Sequence, residues 1–111
     1  MTRIPDASVI HSRLRLRQLR LMLALQEFGS LRRAADNIGM TQPAATKMLH
    51  EAEDLLGVEL FERLPRGMRL TPAGELFLSH ARGILDAIDR AVDAISDPPA
   101  PPGGPPSLAD G

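Results

Sequence analysis

Cysteine is absent from the 111 residues, which excludes disulfides and thiolate metal sites. Tryptophan and tyrosine are absent too, and three phenylalanines hold the aromatic share at 3%. Such a chain lacks the rows of stacking rings that single-strand binders use, so a nucleic-acid partner, if there is one, is expected to be double-stranded. Long apolar runs are missing as well. The longest, Leu21 to Leu25, is far short of a bilayer span, and the residues after Met1 do not resemble a signal peptide. A cytoplasmic chain without a membrane partner is expected. Catalytic groupings are also lacking. His11, His50 and His80 are scattered, no serine has a histidine and a carboxylate at motif-like spacing, and Gly103-Gly104 lies among prolines rather than in a phosphate loop. His50 and Glu53 share a helix face, but two ligands without a third read as a surface hydrogen bond rather than a metal site. The expectation is therefore no enzyme, no metal and no cofactor.

What is present suits one small globular domain with a tail: 43% hydrophobic and 24% charged residues. The net charge of −1 hides an asymmetry. Residues 1–71 hold 11 of the 13 Lys and Arg and 8 of the 14 Asp and Glu, a balance of +3, which leaves 2 basic against 6 acidic side chains, or −4, in residues 72–111. A basic front half precedes an acidic rear half. Solvated faces of an ordinary soluble protein can produce the same pattern, so charge alone does not identify a partner.

Along the chain, residues 1–13 contain Pro5 and no apolar period, and are expected to form a flexible arm. A helical stripe of Leu16, Leu19, Met22 and Leu23 then runs to Phe28 and stops at Gly29. Ser30 is a candidate N-cap for a short second helix carrying Leu31, Ala34, Ala35 and Ile38, and Gly39 suits its C-terminus. Thr41 follows almost at once as a second N-cap, with Pro43 in the first turn, and Ala45, Met48, Leu49, Ala52, Leu55 and Leu56 carry a third helix to Gly57. The period then changes. Val58 to Arg63 has strand-compatible residues, Pro65-Arg66-Gly67 signals a turn, and Met68-Arg69-Leu70 returns antiparallel. Thr71-Pro72 opens a fourth helix whose apolar stripe, Phe77, Ala81, Ile84, Leu85, Ile88, Ala91, Val92 and Ile95, is too long for so small a core to cover. Its far end is expected to pair with a second copy. Residues 97–111 hold most of the prolines and read as a disordered tail.

The second and third helices, joined by a very short turn, have helix-turn-helix spacing, and the hairpin adds a wing. In that geometry the N-terminal turns of the third helix meet DNA. Gln42 suits an adenine edge, Thr46 a base or phosphate, Ala44 a close approach to a thymine methyl, and Lys47 a phosphate or guanine; Thr41, Pro43 and His50 complete that face. Arg63, Arg66 and Arg69 flank the hairpin turn, where they suit a phosphate backbone or minor groove. They also fit a plain role as solubilising edge charges. Arg32 and Arg33 are candidate phosphate anchors, with pairing to Asp36 as the alternative.

Four phrases in this stretch go further: GS-L-x-x-AA at Gly29 to Ala35, TQPA at Thr41 to Ala44, LG-x-x-LFER at Leu56 to Arg63, and LTPAG at Leu70 to Gly74. Together they resemble the amino-terminal DNA-binding domain of LysR-type transcriptional regulators, over about residues 14–95. The resemblance implies a mainly α, winged helix-turn-helix domain at 14–71 and a linker and dimerisation helix at 72–96. It also implies major-groove reading by Gln42, Pro43, Thr46 and Lys47, a wing carrying Arg63 and Arg66, and dimerisation through Ala81 to Ile95. The chain departs from the family at Ala45, Met48 and Ala52, where larger or more polar residues are common. Family members usually continue into a sensing domain, so this sequence is expected to be a DNA-binding module without one. The expected partners are an inverted-repeat duplex site and a second copy of the chain. An alternative shares the fold: a truncated interaction protein that forms mixed dimers with full-length regulators.

Overall fold

A computed structural model describes residues 6–96. The elements run α1 (Ala7–Arg13), α2 (Leu16–Phe28), α3 (Leu31–Ile38), α4 (Gln42–Leu56), β1 (Phe61–Leu64), β2 (Gly67–Leu70) and α5 (Pro72–Ser96). Four of the five helices and the hairpin stand where the apolar periods and caps put them. The proline-rich segment expected as a tail, and the first five residues of the expected arm, lie outside the described residues.

The core is built around α2, whose Leu19, Leu21, Met22, Ala24 and Leu25 are all buried. Those positions cover most of the helix circumference, and α2 accordingly meets α3, α4, α5 and β2. Leu31, Ala34 and Ala35 join it from α3, and Ala45, Leu49, Ala52 and Leu56 from α4. Ala45 and Ala52 are fully buried at 0% exposure, so their small size is what lets α4 lie close against its neighbours. Leu60, Phe61, Leu78 and Ala81 close the far side.

All three expected caps are made. The Ser30 Oγ accepts the Arg33 N–H at 3.3 Å, the Thr41 Oγ1 accepts the Ala44 N–H at 3.2 Å, and the Thr71 Oγ1 accepts the Gly74 N–H at 3.0 Å. Gly29, Gly39 and Gly57 end α2, α3 and α4 in the left-handed conformation.

Two expectations need correction. The segment 1–13 is not an unstructured arm throughout, because α1 occupies Ala7–Arg13. Ile10 and, just beyond the helix, Leu14 are half-buried against the core and tether it, with α1 lying against α4. The first strand also starts later than Val58. Its partner strand ends at Leu70, paired with Phe61, because the chain turns there into α5. Residues Val58 to Leu60 therefore have no strand to pair with, and the Leu60 N–H finds a side chain instead.

The hairpin turns through Pro65 and Arg66. Neither has a positive φ, and the left-handed position falls on Gly67, at φ 100°. A side chain there would collide with the Gly29 carbonyl oxygen, and the Met68 N–H donates to that same oxygen at 3.0 Å. Gly74 is equally constrained. A Cβ on it would run into the Leu60 carbonyl, so glycine is what seats the first turn of α5 on the base of the hairpin.

Candidate nucleic-acid interface

With Ala45 and Leu49 facing inward, the N-terminal turns of α4 turn Thr41, Gln42, Pro43, Ala44 and Lys47 out to solvent, and His50 is exposed one turn further on. Thr46 is half-buried, and its Oγ1 donates to the Gln42 carbonyl at 3.1 Å, which leaves its lone pairs rather than its proton for a ligand. No acidic residue lies between Thr41 and His50, whereas Glu51, Glu53 and Asp54 fill the next turn. A polyanion is thus accepted at the start of α4, where the helix dipole is also favourable, and repelled at its end. The acid-free face ends near His50.

The wing arginines do not form one cluster. Arg69 pairs across the strands with Glu62, its Nε reaching Oε1 and its Nη2 reaching Oε2 at 3.2 Å each. That hydrogen bonding, together with the Glu62 charge, raises the pKa of the Arg69 guanidinium above its ordinary value. Arg63 sits on the other face of the hairpin, opposite Met68, and Arg66 occupies the exposed tip. Because Gly67 and Met68 press on Gly29, the tip is brought beside the start of α3, which carries the exposed Arg32 and Arg33. Arg33 lies over the Phe28 ring, 5.8 Å from its centroid. The alternative pairing of these arginines with Asp36 is not made; among the described residues Arg69–Glu62 is the ion pair.

The stripe on α5 divides in two. Ala81 is buried, and Phe77 and Leu85 are half-buried against the core, so these three serve the fold of their own chain. The rest of the stripe is open: Ile84, Ile88, Val92 and Ile95 are 45%, 36%, 49% and 80% exposed, and Ala91 is exposed as well. At about 1.5 Å per residue, the 25-residue α5 is long enough to leave its last turns without a neighbour among the described residues. No helix among the described residues is long and apolar enough to cross a membrane.

One residue of consequence was not singled out by the sequence as part of the interface. Glu53, paired on paper with His50, instead accepts the backbone N–H groups of Leu60 and Phe61 on one carboxylate oxygen, at 2.7 and 3.1 Å. A signal for it existed. Glu53 lies four residues after Leu49 and three before Leu56, on the inward side of α4, where a carboxylate must find donors.

The family model for the bacterial regulatory helix-turn-helix proteins of the lysR family matches residues 16–75. The chain belongs to this family. Among its relatives, the uncharacterized HTH-type transcriptional regulator YdcI of Escherichia coli K12 is 46% identical over 84 residues, 76% of this chain and 27% of that protein. The HTH-type transcriptional regulator GbpR of Azospirillum brasilense is 43% identical over 95 residues, 86% of this chain and 28% of its own length. The chain thus spans under a third of these relatives, which are named as regulators rather than enzymes. Among solved structures, the DNA-binding domain of CbnR in complex with DNA superposes with a TM-score of 0.71 at 38% identity, covering 75% of this chain and 95% of that one. The corresponding domain of BenM on its catB site 1 DNA gives 0.72 at 32% identity, over 75% and 93%. The winged helix-turn-helix reading is therefore correct, and α1 lies ahead of the segment that the family model covers.

Proposed function

We propose that this LysR-family chain binds double-stranded DNA sequence-specifically, as the DNA-reading part of a cytoplasmic transcriptional regulator. The first turns of α4 enter the major groove, with Gln42 on a base edge, Ala44 against a base methyl, and Thr46 and Lys47 on base or phosphate. Arg66 and Arg63 hold the flanking backbone, joined by Arg32 and Arg33, while Arg69 contributes less because Glu62 already occupies it. The carrying observation is the acid-free, outward-facing start of α4, in a chain that shares 38% identity and its fold with a domain solved on DNA.

The exposed row Ile84, Ile88, Ala91, Val92 and Ile95 supports pairing of α5 with a second copy. A two-fold dimer then meets two half-sites separated by whole turns of the duplex, which makes an inverted repeat the expected target. Nothing in the fold or among the relatives favours the mixed-dimer alternative.

Replacement of Gln42 by alanine tests the base-reading role. Binding is measured on a selected duplex and on its single-base variants. The variant is expected to lose about 1–3 kcal/mol of discrimination at one base position of each half-site. An equal loss on every duplex contradicts the assignment.

A further inference from the structure

We propose that Glu53 sets the angle of the wing against α4, making it a positioning residue for DNA recognition rather than a DNA contact. The inference rests on the reading in the preceding section. Three sets of hydrogen bonds fix the hairpin. The Met68 N–H donates to the Gly29 carbonyl at 3.0 Å, tying the wing to the turn before α3. At the base, the Thr71 N–H donates to the Leu60 carbonyl at 2.9 Å and the Thr71 Oγ1 donates to the Glu59 carbonyl at 2.7 Å, tying it to α5. The third set is that of Glu53, and among the described residues it supplies the side-chain hydrogen bonds between α4 and the hairpin.

The chemistry makes this a stiff joint. One carboxylate oxygen takes two adjacent backbone N–H groups, and a bond to an ionised acceptor is roughly twice as strong as a neutral one. No cation among the described residues pairs with Glu53, so the two amides are its described partners. Leu60 is buried on one side of this joint and Phe61 begins β1, so a shift at Glu53 is transmitted directly into the first strand. Glu53 itself lies about 16 Å along the helix axis from Gln42, too far to share its base contact. The base reader and the backbone grip sit on separate elements, and Glu53 is the side chain that links α4, which carries the reader, to the first strand of the wing.

The test uses the whole chain and a duplex selected by the wild type, with Arg66→Ala and Gln42→Ala made alone and in the Glu53→Ala background. In the wild type, Arg66→Ala is expected to weaken binding about fivefold. In the Glu53→Ala background the same change is expected to cost less than about twofold, because the tip no longer reaches its phosphate, while the Gln42→Ala factor stays the same. Glu53→Gln, which keeps an acceptor oxygen, should restore most of the Arg66→Ala factor. Should thermal unfolding reveal a poorly folded Glu53→Ala, Glu53→Asp carries the same comparison, since it keeps the charge and withdraws it by one methylene. An Arg66→Ala factor that is unchanged by the Glu53 substitutions overturns the inference and leaves the DNA-binding reading standing. Absence of duplex binding by the wild type removes both.

Discussion

Replacing Gly67 by alanine challenges the seating of the wing at its tightest point. Gly67 holds φ at 100°, outside the region open to L side chains, at a cost of about 1–2 kcal/mol for an added Cβ. The new methyl group would also strike the Gly29 carbonyl oxygen, which accepts the Met68 N–H at 3.0 Å. Relieving that collision stretches or breaks a hydrogen bond worth about 0.5–1.5 kcal/mol. Gly29→Ala is the matched control, because Gly29 has φ 67° and nothing within 4 Å of the added Cβ. It keeps a positive-φ cost no larger than that of Gly67, since 67° lies in the left-handed region that L residues can enter, and omits the collision. Gly67→Ala is therefore expected to lose at least about 0.5–1.5 kcal/mol more than Gly29→Ala. At roughly 4–8 °C per kcal/mol for a domain of this size, its Tm should lie at least about 2–12 °C below the control's. Circular dichroism melting gives the Tm values, and hydrogen exchange at the Met68 amide reports the broken bond. Equal Tm losses in the two variants, with Met68 still protected, would refute the claim that close approach of Gly67 to Gly29 seats the wing.

Other substitutions test the remaining parts. Leu78→Ala removes a side chain that is 1% exposed and should lower stability by about 2–5 kcal/mol in urea unfolding. Ile88→Asp puts a charge on the exposed stripe; sedimentation is expected to find a dimer for the wild type and a monomer for the variant, with the winged domain still folded. Arg66→Ala should reduce the slope of log affinity against log salt by about 1, and Arg69→Ala by clearly less, since Arg69 is held by Glu62. An equal reduction for both arginines would mean that the cross-strand pair opens on DNA.

The parts of this fold that were legible in the sequence are the ones coded locally. Ser30, Thr41 and Thr71 announce helix starts by the reach of one short side chain to an N–H three residues on, and Gly29, Gly39 and Gly57 announce ends by backbone conformation. The outward face from Thr41 to His50 followed from the apolar period of α4. Contacts between elements were not legible. Helix α1 has Ile10 and Leu14 as its anchors, too few apolar positions to establish a period. The link from Glu53 to Leu60 and Phe61 bridges the loop after α4, and its donors are backbone groups that every residue carries. The three wing arginines look alike in sequence, and the strand register, which sets Glu62 opposite Arg69 and leaves Arg66 at the tip, separates them. The long stripe on α5 announced that part of it lies beyond the core, but only packing shows Ala81 buried and Phe77 and Leu85 half-buried against that core.

Duplex reading is measured by fluorescence-anisotropy binding of the whole chain to pools of random duplex and random single-stranded DNA, with salt stepped across the physiological range and the bound duplexes sequenced. A dimeric duplex reader gives a steep fall of duplex affinity with salt, weaker retention of single strands, and enrichment of an inverted repeat with half-sites a whole number of helical turns apart. Failure to retain duplex even at low salt would contradict that reading.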